Sequence, residues 1–221
     1  MSLLRTAVPA LLLLVGACDT ELPPLTTEAT WTIAVSPCRG ATGEFGNVDG
    51  DEYVDLVTVW RDCSYWESGE AREVSLVLFR GTPEGFEKTP SVVRPLSLEH
   101  PLWSTNVEVM DADGDGVEDV YLSITLRDEE GFTEPGPAKL FFGSEDPSSL
   151  FEGGVVAPEV GSLGFGRVLH ADVDGDQKDE LIIPGSSGSF LTVAKWDSER
   201  EFFQYDYYVQ GLIYGPANDV S

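Results

Sequence analysis

Acidic residues recur in this chain at a spacing suited to holding a hard divalent cation. Asn47, Asp49, Asp51 and Asp55 form one set, Asp111, Asp113, Asp115 and Asp119 a second, and Asp172, Asp174, Asp176 and Glu180 a third. Each set occupies positions 1, 3, 5 and 9 of a motif with glycine at position 4 (Gly50, Gly114, Gly175) and an aliphatic residue at position 10 (Leu56, Val120, Leu181). At average residue usage, five such positions coincide at roughly one start point in a million, so three coincidences mark a repeat. A hard cation takes six to eight oxygens at about 2.3–2.6 Å, and a tight loop can turn alternate side chains inward to supply them. The main-chain carbonyl at position 7, on Tyr53, Val117 and Lys178, is the expected further ligand. Calcium at two or three sites is therefore the expected cofactor, with the first loop weakest because Asn47 is neutral. Magnesium suits the loops less well because it demands stricter octahedral geometry and keeps its waters. Without a cation, carboxylates about 4 Å apart repel by roughly 1–4 kcal/mol per pair. The metal-free alternative is an ordinary Asp-Gly turn between two strands.

An EF-hand would need a bidentate Glu at position 12, where Thr58, Leu122 and Ile183 stand instead. Catalysis finds little support. The two histidines are His100 and His170, and His170 stands two residues before Asp172, where a supporting role is expected of it. There is no Gly-x-Ser-x-Gly elbow, and the glycines between Gly161 and Gly166 fit neither dinucleotide nor Walker spacing. A catalytic pair of acids occurs once and in unequal surroundings, unlike carboxylates repeated in one register. Tyr205, Tyr207 and Tyr208 beside Phe202 and Phe203 read as core or inter-blade packing, with stacking on sugars or proteins as the alternative.

The loops begin 64 and then 61 residues apart, so the repeating unit is much larger than the loop. Strand-forming runs surround each one. After the loops come residues 56–60, 120–126 and 181–183, then 74–79, 139–142 and 190–196, then 92–93, 155–156 and 207–209. A short run also precedes each loop, as at 107–109 and 168–170. In the second copy Val120, Leu122, Ile124 and Leu126 alternate with Tyr121, Ser123 and Thr125, the pattern of a sheet with one buried face. Four antiparallel strands about every sixty residues predict an all-β fold of β-propeller-type blades. The three units fall at about 31–95, 96–157 and 158–214, forming a partial or small ring. Orphan strands at 31–35 and 212–214 are expected to pair, to complete the terminal units or to meet a second copy.

The three Asp-Gly-Asp loops, the Phe45-Gly46 and Phe165-Gly166 pairs before loops one and three, and the strands near Phe79 and Phe142 resemble FG-GAP or VCBS-type repeats, found in integrin α-like propellers and many exported bacterial proteins. The resemblance covers residues 31–214. It implies loops that ligate calcium between the first two strands of each blade. The second copy lacks the Phe-Gly pair, and Gln177 stands where such repeats often have glycine.

Thirty-nine acidic against thirteen basic residues give the chain a net charge of -26, which repels nucleic-acid phosphates and anionic lipid surfaces. The hydrophobic fraction of 42% still supports a packed core. Residues 1–17 read as an export signal, with Arg5 followed by an apolar run too short to span a bilayer. Its end resembles the bacterial lipoprotein signal, which implies acylation of Cys18, a tether over residues 18–30 and a domain over 31–221 on the periplasmic face or cell surface. Cys38 and Cys63 then remain as an even pair able to form a disulfide in an oxidising compartment. The function expected is a non-catalytic scaffold or adhesion module. Its partners would be the membrane through its anchor, a protein or glycan ligand and a second copy of itself. The alternative is a propeller enzyme acting on a polysaccharide or phosphoester.

Overall fold

The computed structural model describes residues 42–61, 73–98, 100–146, 148–157, 168–184 and 190–210. The expected signal, the acylated Cys18 with its tether, Cys38, Cys63, the pair Phe165-Gly166 and the orphan strands at 31–35 and 212–214 lie outside them. The described residues are all-β, with no helix among them. Three four-stranded antiparallel sheets follow one another along the chain, and among the described residues they do not close into a barrel or ring.

In the first sheet β1 (Thr42–Gly46), β2 (Asp55–Arg61) and β3 (Glu73–Phe79) form a meander. A small hairpin of β4 (Gly81–Thr82) and β5 (Gly85–Phe86) intervenes before β6 (Val92–Ser97) completes it. The second sheet runs β7 (Leu102–Met110), β8 (Asp119–Arg127), β9 (Thr133–Phe141) and β10 (Val155–Val156). The third runs β11 (Leu169–Ala171), β12 (Glu180–Pro184), β13 (Phe190–Asp197) and β14 (Phe202–Gln210). Each acidic loop joins the first strand of its sheet to the second.

The sheets pack through their side-chain faces. Val57, Val59, Leu76 and Leu78 of the first share a buried cluster with Val107, Val109, Leu122 and Ile124 of the second. Met110, Tyr121 and Leu140 of the second share another with Leu181, Ile183, Ala194 and Trp196 of the third. Each such side chain contributes roughly 1.5–3 kcal/mol on burial, so packing between sheets dominates the stability of the array.

The second sheet thus lies between two others, which corrects the one-buried-face pattern expected for its central strand. Tyr121, Ser123 and Thr125 are as buried as Val120, Leu122 and Ile124. Alternation records which side chains share a face, but both faces of β8 have neighbours. Strand β9 also begins six residues before the run at 139–142, despite Pro135 and Pro137. Its partner β10 pairs only with Lys139 and Leu140, so on that side the prolines face no ladder that needs their missing N–H groups.

Candidate metal centre

All three loops are built from side chains that accept hydrogen bonds from backbone N–H groups a few residues ahead. In the second, Asp111 Oδ1 accepts from Gly114 (2.8 Å), Asp111 Oδ2 from Gly116 (3.0 Å), Asp113 from Asp115 (3.1 Å) and Asp115 from Val117 (2.8 Å). Asp172 accepts likewise from Gly175 (2.7 Å) and Gln177 (3.0 Å). The glycine at position 4 has φ of 73°, 80° and 82° in Gly50, Gly114 and Gly175, left-handed backbone that glycine adopts without strain. At position 6 the third loop needs the same of Gln177, with φ of 71°, where the second has Gly116 at 88°. Gln177→Gly is therefore expected to stabilise the protein by about 0.5–1 kcal/mol, read as a rise in the urea midpoint with unchanged slope.

The position 9 acids sit deeper than the others. Asp55 is wholly buried and accepts from Val48 N–H (3.1 Å) and Gly81 N–H (2.8 Å). Asp119 does the same with Ala112 N–H (3.0 Å) and Gly143 N–H (2.9 Å). Each ties the start of its loop to the glycine that stands two residues beyond the third strand. Burial, opposed by these bonds and assisted by neighbouring carboxylates, pushes Asp55 up to about 6 and Asp119 up to about 7. In the third copy the longer Glu180 accepts from Val173 N–H (2.7 Å) with one oxygen, while the other faces Lys195.

Two groups of acids lie close enough to hold a metal ion: Asp111, Asp113 and Asp115, and Asp172, Asp174 and Glu180, each offering oxygens within 4.8 Å of one another. Burial, then the charges of Asp115 and Asp111, raise Asp113 above its ordinary value, although a backbone bond and Lys178 pull the other way. These hard carboxylate oxygens suit calcium or magnesium chemically. Asp119 is close enough for Asp113 and Asp115 to raise it, and its carboxylate keeps lone pairs beyond the two N–H bonds it accepts.

The first loop does not gather such a group. Arg80, just past β3, bonds Asp49 through Nε and lies 3.5 Å from Asp51 through Nη2. Asn47 donates through Nδ2 to Asp51 O, while its Oδ1 is buried without a hydrogen-bond partner among the described residues. The third loop also has a cation. Lys195 Nζ lies 2.5 Å from Asp174, 2.8 Å from Asp176 and 3.2 Å from Glu180, the last an ion pair without hydrogen-bond geometry. Burial alone would lower the Lys195 pKa, but its carboxylate partners outweigh burial and hold it well above the ordinary lysine range. The bond to Lys195 in turn lowers Asp176.

Successive loops are clasped at position 8, which was not among the expected site residues. Glu118 N–H donates to Asn47 O (3.0 Å) while its carboxylate accepts from Asn47 N–H. Asp179 repeats this on Asp111, with its N–H on Asp111 O (2.8 Å) and its Oδ2 accepting from Asp111 N–H (3.2 Å). His170 Nδ1 lies 3.1 Å from the same Asp179 oxygen, beside this clasp. The first loop has Val54 at position 8.

The position 7 side chains also bridge loops: Val117 lies over Gly50, and Lys178 over Gly114, where a Cβ would come within 3.0 Å of Lys178 Cγ. Tyr53, the first of that series, donates its hydroxyl to Glu52. Of the C-terminal aromatic residues, Phe203 packs on Trp196 with ring centres 5.4 Å apart, while Phe202 is exposed. The signal for the clasp was present as an acid at position 8 in the second and third copies and not in the first. No protein-family model and no curated protein matches the chain.

Proposed function

We propose that this chain is a calcium-binding repeat module of the FG-GAP or VCBS kind, its sheets the blades of a propeller-type array, exported and held to a bacterial membrane through Cys18. It acts as a non-catalytic scaffold or adhesion module toward a protein or glycan. The observation that carries the reading is the recurrence of one carboxylate loop at one strand junction in three stacked sheets, with Asp111, Asp113 and Asp115 converging in the second. The repeated register favours a structural ion over a reacting centre, because each loop supports its own sheet and successive loops touch. Calcium suits such a loop outside the cytoplasm, where free calcium is on the order of millimolar and sites of modest affinity fill.

Thermal unfolding with calcium, magnesium or chelator tests this. An ion about tenfold above its dissociation constant contributes about 1.4 kcal/mol, which in a domain of this size raises the melting temperature by roughly 3–6 °C. Magnesium at the same concentration should do less. A melting curve indifferent to calcium would remove the metal from the reading.

A further inference from the structure

The three loops differ in one residue that cross-strand register makes equivalent. Position 10 pairs with Phe79 in the first sheet, Phe141 in the second and Ala194 in the third. The next residue along the third strand, opposite the position 9 acid, is therefore Arg80, Phe142 or Lys195. Arg80 engages Asp49 and Asp51, and Lys195 engages Asp174, Asp176 and Glu180. Phe142 instead packs its ring on Trp196, with centres 5.4 Å apart, and brings no charge to the second loop.

We propose that this third-strand residue decides which loop depends on metal: Arg80 and Lys195 act as tethered cations in place of an ion, leaving only the second loop to bind calcium. The inference rests on the calcium reading above and sharpens it to one ion per chain.

An ion and a tethered cation would compete for the same oxygens. Calcium needs the carboxylates of its loop at about 2.3–2.6 Å. In the third loop Lys195 Nζ already stands 2.5–3.2 Å from oxygens of three of the four acids expected to be ligands. Ammonium and calcium cannot both lie among them, because the same oxygens would have to face both and the two cations repel. The lysine also has the advantage of being covalently attached, so it is never diluted away as a free ion is. Arg80 claims the two carboxylates that the first loop has at positions 3 and 5, and Asn47 offers no charge to contest them. Near the second loop Lys178 acts on Asp113; its stem lies over Gly114, and it forms no ion pair with the loop's acids among the described residues.

Calorimetric titration of the full chain with calcium, paired with melting curves in chelator and in millimolar calcium, tests the proposal. The unmodified chain should take up one equivalent. Lys195→Met should melt lower in chelator, recover in calcium and bind one equivalent more, and Arg80→Met should do the same through the first loop. Should Lys195→Met fail to fold, Lys195→Gln removes the charge with a polar side chain of similar reach. In the reverse direction Phe142→Arg should lose the single equivalent while still folding in chelator.

Two or three equivalents in the unmodified chain would overturn the proposal and leave the calcium reading standing. So would a lysine variant that melts as the parent does in chelator, or one that melts lower and is not restored by calcium. No binding by the unmodified chain, together with calcium-dependent recovery of Lys195→Met, would uphold the tethered cation and overturn calcium at the second loop.

Discussion

Asp119→Ala is expected to lower stability by about 2–4 kcal/mol in chelator, because it strips the acceptor from one buried and one part-buried N–H group at once. Those groups belong to Ala112, at the start of the second loop, and Gly143, just beyond β9, and the carboxylate is what joins them. Neither can turn elsewhere: Ala112 is fully buried, and a Cβ at Gly143 would sit 2.5 Å from Glu118 O, so the backbone there has no slack. Asp119→Asn should cost less, since its amide retains one acceptor oxygen. Asp115→Ala, at an exposed position of the same loop, should change stability in chelator by less than about 0.5 kcal/mol while weakening calcium binding. Urea unfolding of the three variants separates the roles. A loss below about 1 kcal/mol for Asp119→Ala would mean that water can replace the clip.

Metal-free stability should fall as pH rises from about 4 to about 8. Asp55 and Asp119 are pushed to about 6 and about 7 when folded, against 3.8 for an ordinary aspartate. Below pH 4 both are protonated in the folded and unfolded chains, and their full contribution is present. Between the two pKa values the unfolded chain has released protons that the folded chain retains, so raising the pH draws the equilibrium toward unfolding. Above the folded pKa the contribution is gone, a loss of about 1.4 kcal/mol for each unit by which the folded value exceeds the unfolded one. Asp176, lowered by Lys195, has the opposite sign, and its contribution is lost only as pH falls below the ordinary carboxylate range. Urea unfolding in chelator should therefore show greatest stability near pH 4–5, by the same linkage. A profile that rises from pH 5 to pH 8 would contradict the raised values.

Much of this architecture was legible because the repeat holds register. The loops announced their junctions, and the runs at 74–79 and 190–196 fall on β3 and β13. What stayed hidden depends on pairing across strands. Arg80 stands 25 residues after Asp55, Phe142 stands 23 after Asp119 and Lys195 stands 15 after Glu180, so no fixed spacing aligns them until the strands are paired. Position 9 carries a second role that the sequence does not mark. An acid that clips two backbone N–H groups and an acid that ligates an ion look alike in sequence, and only the depth of Asp55 and Asp119 shows the first role. The second burial face of β8 was invisible because alternation cannot count how many sheets lie alongside.

The clasp at position 8 gives the array a direction. Asp111 belongs to the group that would grip an ion, yet its own N–H and carbonyl are held by Asp179 of the following sheet. An ion in the second loop would therefore act as mortar between the second and third sheets, and the amides it slows to hydrogen exchange should include those on the far side of that seam. Val173, the counterpart of the buried Val48 and Ala112, is 48% exposed, so position 2 stands open in the third loop where it is covered in the first two.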